Sequence, residues 1–303
     1  MRPRSTRPTV AVMHAGGRTG RRLSRRLLGA GHAVRALGRS AERLQDLRAA
    51  GAEVHAADPT DPGQLVPAFE GADIVYALLP YDLMQPGYLA RQRRLGEALA
   101  AAVRLAGVPR VVFLSSLGAE LGEGTGLILS LHDQEQRLAD VPWLHAVFLR
   151  AGDFMENRLA AVYALRARHR WHDAVSADRP VPMVAASDIA DVAFEAVHDA
   201  SWTGLSVREV LGPHDLSPAE VTDILGRHLG MPDARYECCA PAALRDVLVG
   251  AGLPPDVAEL TAQLSQGIEE GRIRSRQGRT PQNSTPTAFD TFVSRSLPAP
   301  GTA

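Results

Sequence analysis

The sequence predicts a doubly wound α/β fold, a parallel Rossmann-type sheet flanked by helices, with a small, mainly helical cap towards the C-terminus. Short apolar runs alternate with helical patterns over the first 150 residues, and a glycine-rich turn separates the first run from the first helix. After Arg150 the alternation gives way to a helix-dominated pattern. Strand and helix alternating over such a length imply parallel strands joined by crossovers, because a parallel pair cannot be closed by a tight hairpin.

Thr9 to Met13 reads as a buried strand and Thr19 to Ala30 as a helix with Leu23, Leu27 and Leu28 inward. Ala33 to Leu37 is a second strand, followed by a helix opened by Ser40, whose hydroxyl suits an N-cap. Ala52 to Ala56 and Ala72 to Leu79 supply the third and fourth strands. A long helix from about Pro86 to Ala106 presents Leu95, Leu99, Val103 and Ala106 on one face, and Gly107 and Pro109 end it. Arg110 to Ser115 and Trp143 to Leu149 are the fifth and sixth strands.

Beyond Arg150, a helix over Met155 to Arg170 precedes a strand at Val181 to Val184, a helix from Ser187 and a strand at Leu205 to Val210. Ser217, Pro218 and Glu220 form the signature of a boxed N-terminus for a helix to Leu229. Helices over Pro241 to Gly250 and Pro254 to Gly271 follow. Gly271 to Pro286 is polar enough to read as a mobile loop, and Thr287 to Ser294 as a last docking helix. The expected division is a nucleotide-binding unit at 8–154, to which 180–212 return, and a cap at 155–179 and 213–295. Residues 1–7 and 296–303 are expected to be flexible termini.

Composition removes several functions. Among 303 residues the net charge is -1, which lacks the basic excess that nucleic acid or an anionic membrane surface demands. No apolar run approaches the roughly 20 residues of a membrane span, and no secretory signal is evident, so the expected location is the cytoplasm. The two cysteines, Cys238 and Cys239, are adjacent, a spacing unsuited to an unstrained disulfide or a metal set; no metal is expected. Every basic side chain is Arg or His, because the chain has no lysine. Schiff-base chemistry and lysine-assisted acid catalysis are therefore closed.

The loop between the first strand and first helix reads His14-Ala15-Gly16-Gly17-Arg18-Thr19-Gly20. Gly17 and Gly20 have the spacing of the last two glycines of a dinucleotide loop, where the backbone must approach a pyrophosphate resting on a helix N-terminus. His14 stands where the first glycine belongs. Arg39, just past the second strand, suits the 2′-phosphate of NADP where an acid would suit the ribose of NAD. Asp58, past the third strand, is placed to meet the adenine. Leu79 and Pro80 after the fourth strand, and Ser115 and Ser116 after the fifth, line the crevice at the strand ends.

These features, with further motifs, resemble the NmrA-like branch of the atypical short-chain dehydrogenases/reductases. The resemblance rests on Gly17-Arg18-Thr19-Gly20 and the run from Gly107 to Ser116. It continues in Phe154-Met155-Glu156-Asn157 after Leu149-Arg150, Val181-Pro182-Met183-Val184, Asp188-Ile189-Ala190-Asp191 and Gly212-Pro213. It implies a domain binding NADP(H) and a cap closing a cleft for a small-molecule substrate or a protein partner. Asp188 and Asn157 are carried over as architectural or cleft-edge residues. Members of the family include NAD(P)H-dependent reductases of quinones and other small molecules, and regulators that only sense the dinucleotide. The Tyr-x-x-x-Lys pair of typical short-chain dehydrogenases is missing here. In that pair the lysine lowers the tyrosine pKa for proton delivery.

The expected function is an NADPH-dependent reductase of a small, quinonoid or aromatic metabolite, whose reduced oxygen takes a proton from solvent. The alternatives are a non-catalytic NAD(P) sensor acting on a protein partner, and a non-redox cyclase or isomerase on the same fold. A homo-oligomer is compatible with the sequence. His132, beside Asp133 and Glu135, is the candidate proton donor. Glu135 is expected to bond backbone or Arg150. Tyr81, Ser116, Phe154 and Asn157 are the candidate substrate-cleft residues, and Ala15, Gly17, Arg18, Thr19, Gly20, Arg39, Asp58, Leu79, Pro80 and Ser115 the candidate cofactor contacts. Arg21, Arg22, Arg25 and Arg26 read as the solvated face of the first helix, leaving Arg18 beside the cofactor.

Overall fold

A computed structural model describes residues 7–297. In chain order the elements are β1 (Thr9–Val12), α1 (Arg18–Gly29), β2 (Ala33–Gly38), α2 (Gln45–Ala49), β3 (Glu53–Ala56), α3 (Pro62–Phe69), β4 (Ile74–Ala77), α4 (Tyr88–Leu105) and β5 (Arg110–Ser116). Then come α5 (Leu129–Ala139), β6 (His145–Ala151), β7 (Asp153–Phe154), α6 (Leu159–Arg168), β8 (Arg170–Asp173), β9 (Val181–Val184), α7 (Ala186–His198) and β10 (Leu205–Val210). The rest is β11 (Asp215–Leu216), α8 (Pro218–Leu229), β12 (Arg235–Cys238), α9 (Pro241–Gly250), α10 (Pro255–Glu269) and α11 (Phe289–Ser296).

The central sheet runs β3-β2-β1-β4-β5-β6-β10 with every neighbour parallel. Side chains alternate across it, as a pleated strand requires. Val10 and Val12 enter one core with Leu23 and Leu27 of α1 and Ile189 and Ala193 of α7, whereas Ala11 and Met13 enter the opposite core with Phe69, Leu99 and Leu138. Both faces are therefore covered, which is why the strands read as continuous apolar runs. Strand order reverses between β1 and β4, and the crevice outside their carboxyl ends is where ligands bind in such sheets.

A third apolar cluster joins Met155, Val162, Leu165 and Trp171 to Val181, Val221, Leu225, Phe289 and Phe292. Helix α8 opens with the predicted capping box, Ser217 Oγ accepting from the Glu220 N–H at 3.3 Å and Glu220 accepting from the Ser217 N–H at 2.8 Å.

Several expectations need correction. Ser40 caps no helix: the chain enters a 3₁₀ turn at Glu42 behind Ala41, and α2 starts only at Gln45. The helix α3, capped by Asp61, was not anticipated because Pro62 and Pro67 interrupt its pattern. The stretch 155–170 is a 3₁₀ turn followed by α6, ended by His169 at φ 57°, and Arg170 already belongs to β8. Val181–Val184 pairs with β7 and β11 in a separate small sheet, so of the returning segment 180–212 only β10 joins the main sheet as a strand. Gly271 to Pro286 lacks helix and strand yet is fastened rather than mobile. Leu211 donates to Asn283 O at 2.8 Å and accepts from the Thr285 N–H at 2.7 Å, and Asn283 and Thr285 are buried. Of the ends expected to be flexible, 1–7 and 296–303, residues 1–6 and 298–303 lie outside the described residues, whereas Ser296 closes α11 and the Leu297 N–H donates to Val293 O.

Candidate functional site

The glycine loop sits at the reversal point. Ala15 is buried and its N–H donates to Leu37 O at 2.8 Å, stitching the loop to β2. Helix α1 begins at Arg18 behind Gly17, with no side-chain cap and no acid in its first turn. Its first N–H groups thus point outward with the helix dipole behind them. Thr19 is buried beside the Tyr76 hydroxyl, so only its backbone is turned to the loop.

Each glycine of the loop is required by something different. A Cβ at Gly20 would lie 2.5 Å from His14 O and 3.0 Å from the Ala15 Cα, so this glycine lets α1 pack on the loop backbone. A Cβ at Gly17 would lie 2.2 Å from His14 Cδ2. The space left by Gly17 is therefore taken by the His14 imidazole. His14 itself adopts φ 49°, the left-handed conformation that a glycine at its position would take freely. The departure from the glycine pattern is absorbed without breaking the turn. Burial, and then the nearby Arg39 guanidinium, hold the His14 pKa below its ordinary value.

The arginines separate cleanly. Arg21 and Arg25 pair with Asp46 at 2.5 and 2.8 Å, and Arg22 and Arg26 with Asp191 at 2.7 and 2.6 Å. These four pin α1 to α2 and α7 rather than standing free. Arg18 and Arg39 make no ion pair or side-chain hydrogen bond among the described residues. Asp58 Oδ1 accepts from the Thr60 N–H and hydroxyl at 2.9 and 2.7 Å, and these bonds, with Arg39 nearby, hold its carboxyl below the usual range. His14, Arg39 and Asp58 thus share one end of the crevice.

Tyr81, Arg18, Asp153 and Glu156 share the other. Partial burial, then the Asp153 carboxylate, raise the Tyr81 hydroxyl pKa against the pull of Arg18, and the ring remains 57 % exposed. Asn157 donates to Asp153 Oδ1 at 2.8 Å, and Phe154 packs half-buried on the sheet core. Glu156 accepts from the Ala186 N–H at the start of α7 at 3.1 Å; burial raises its pKa. Asp188 accepts from the N–H and hydroxyl of Thr287 at 2.9 and 2.7 Å, an architectural tie between α7 and the C-terminal segment. Leu79 is a core residue beneath the crevice, and Pro80 is held through its carbonyl by Gln92 Nε2 at 3.0 Å.

The candidate acid His132 and the polar side chains near it are engaged in structural bonds. Ser115 is buried and donates to Glu135 Oε1 at 2.5 Å, while Ser116 bonds the Leu117 carbonyl at 3.0 Å. Glu135 pairs with Arg150 at 2.6 Å, as expected from the sequence, and Arg150 reaches Glu120 at 3.0 Å. His132 Nδ1 lies 2.9 Å from Ala119 O, which makes Nδ1 the donor and fixes the ring against the loop before α5.

Sequence reading missed Arg158, which pairs with Asp153 at 2.5 Å and Asp173 at 3.5 Å under the Trp171 ring. It also missed Asp256 of α10, whose Oδ2 accepts the Gly87 and Tyr88 N–H groups, each at 2.9 Å. Both contacts bridge more than 80 residues or depend on burial, and neither leaves a local pattern. The described residues contain no cluster of three His, Cys, Asp or Glu that could hold a metal ion. They also contain no helix long and apolar enough to cross a membrane.

Comparison with known proteins agrees with this geometry. The NAD(P)H azoreductase of Xenophilus azovorans is 27% identical over 257 residues, covering 84% of this chain and 85% of that protein. The crystal structure of the NADPH-dependent quinone oxidoreductase QOR2 of Escherichia coli, complexed with NADPH, superposes with a TM-score of 0.79 at 23% identity, covering 94% of this chain and 99% of that one. That of the Citrobacter sp. triphenylmethane reductase complexed with NADP(H) gives 0.78 at 19%, covering 95% and 100%. The family model described as NmrA-like matches residues 6–271. Fold, loop and family model agree, and this chain belongs to the NmrA-like family.

Proposed function

We propose that this protein is an NADPH-dependent reductase of a small aromatic acceptor of quinone or azo type. The observation that carries the reading is the pairing pattern of the arginines. Four on α1 are neutralised by Asp46 and Asp191, while Arg18 and Arg39 make no ion pair among the described residues at the two ends of an uncapped helix N-terminus. Such an arrangement suits a polyanion lying along the loop. In this reading Gly17, Gly20 and the N–H groups of Ala15, Arg18 and Thr19 border the pyrophosphate, and Arg39 meets the 2′-phosphate. Asp58 flanks the adenine, and Leu79, Pro80 and Ser115 form the floor. The sequence and fold relatives named for NAD(P)H azoreduction and NADPH-dependent quinone reduction support the same assignment.

NADPH supplies the hydride. The chain's own residues bind and orient. Tyr81, Phe154 and Asn157 flank the acceptor, Ser116 borders it, and the residues of 155–179 and 213–295 act as the cap that selects it. The Ser115 hydroxyl is committed to Glu135, and His132 Nδ1 to a carbonyl, so the proton that completes a hydroquinone comes from water. Acceptors whose reduced oxygen or nitrogen is readily protonated from solvent are therefore preferred over simple ketones.

The same lack of a positioned acid favours a second reading, a dinucleotide sensor that does not turn over. One experiment separates them: titration with NADPH, NADP⁺ and NADH, then NADPH oxidation with naphthoquinone and an azo dye. NADP-selective binding with turnover supports the reductase. Binding without turnover on any acceptor leaves the sensor, and no binding overturns both.

A further inference from the structure

We propose that His14 is a specificity residue of the cofactor site: with Arg39 it takes the 2′-phosphate of NADPH and accepts a proton as the phosphate arrives. This rests on the NADPH reading above. The position is unusual because it normally carries no side chain at all. Here the left-handed backbone at φ 49° turns the imidazole onto the bare face of Gly17, which has no room for a side chain of its own while the ring lies there. The residue lies at the mouth of the loop with its ring partly buried, on the side where Arg39 acts on it electrostatically.

The charged group that acts on the ring is the Arg39 guanidinium, after β2. Asp58, after β3, lies near Arg39 with its carboxylate engaged by Thr60. Before binding, burial and the Arg39 charge hold the ring neutral. A phosphate monoester brings close to two negative charges and three acceptor oxygens into that field. It reverses the local sign, so a second N–H donor on the ring becomes favourable beside the guanidinium. NADH, which lacks this phosphate, brings no such reversal. His14 thus makes the choice between the two cofactors depend on pH.

The test measures dissociation constants of NADPH and NADH by calorimetry from pH 8.0 to 6.5, in buffers of different ionisation heat so that proton uptake is counted directly. Wild-type protein is expected to tighten its hold on NADPH several-fold as pH falls, with proton uptake approaching one, while NADH affinity stays nearly flat. His14→Asn, a residue type that tolerates the left-handed conformation, should lose both the slope and the uptake, so that its loss of NADPH affinity is larger at pH 6.5 than at pH 8.0. Equal slopes for NADPH and NADH overturn the inference alone, as does a slope that survives in His14→Asn. Failure to bind NADPH at any pH overturns it together with the reading it rests on.

Discussion

Replacing Gly20 and Gly29 by alanine should have opposite effects, although both lie in α1. At Gly20 the new Cβ would meet His14 O at 2.5 Å and the Ala15 Cα at 3.0 Å, atoms of the backbone that cannot rotate away. Restoring ordinary contact requires the helix start to retreat by roughly 1 Å from the loop. Overpacking of this kind costs about 1–3 kcal/mol, equivalent to a melting temperature lower by roughly 2–10 °C in a chain of this size. The same retreat withdraws the first-turn N–H groups from the pyrophosphate, and NADPH affinity should fall at least about tenfold, since ~1.4 kcal/mol suffices for that. At Gly29 nothing lies within 4 Å of the Cβ position, so alanine gains helix propensity, up to about 1 kcal/mol, and leaves binding alone. Thermal melts and NADPH titration of the two variants are the assay. Equal stability and affinity in Gly20→Ala and wild type would refute the close-approach argument. A loss in Gly29→Ala matching that in Gly20→Ala would show that helix propensity, not contact, governs the site.

Arg39→Asp should weaken NADPH by roughly tenfold to a hundredfold, the worth of a charge-assisted bond, while NADH changes little; parallel losses measured by titration would remove Arg39 from the 2′-phosphate. His132→Ala should cost about 1 kcal/mol of stability through the lost bond to Ala119 O and leave kcat within about twofold. A kcat collapse in a stably folded variant would restore His132 as the acid. Glu135→Gln should destabilise by about 3 kcal/mol, because it removes the buried carboxylate that pairs with Arg150 and accepts from Ser115; denaturant melts check this. His32 is buried, its Nε2 3.2 Å from His198 Nδ1, and burial holds its pKa below 6.5. The unfolded chain therefore takes up a proton that the folded one resists, so stability should fall as pH drops below about 6.5. His32→Leu should flatten the His32 part of that slope in melts from pH 7.5 to 5.5, leaving the share from His14.

The inner strands β1, β4, β5 and β6 were readable because both their faces are buried, so each announces itself as an apolar run, while the edge strands β3 and β10 carry polar, exposed positions. Short pairings were not readable. β7, β8, β11 and β12 contain two to four residues each, and Trp171 or Tyr236 in such a stretch looks like any helix-flanking aromatic. At the site, the close approaches at Gly17 and Gly20 were legible from spacing alone, since the backbone sets them, and Arg39 stood out by its position after a strand. The fate of Ser115, Glu135 and His132 depended on which way each side chain turns, and spacing carries no such information. His14 stands where the loop pattern has a glycine, and spacing gives no sign that its ring fills the space that Gly17 leaves.

The segment after α10 carries a consequence for where this protein can be cut. The Glu209 carboxylate, buried in the outermost strand β10 opposite Arg150 of β6, takes its hydrogen bonds from the segment after α10. It is met by the Ser275 hydroxyl, by the Arg276 N–H at 2.7 Å and by the Gln277 N–H at 3.4 Å, while Arg276 also reaches Glu120 at 2.7 Å. Ending the chain near residue 271, where the family model stops, would strip that carboxylate bare and leave Leu211 without its two backbone partners. The last strand of the sheet is completed by residues translated some sixty positions later. A nascent chain therefore carries an unfinished edge until residues 275–285 emerge, and a cut ahead of them leaves the nucleotide-binding sheet without these bonds.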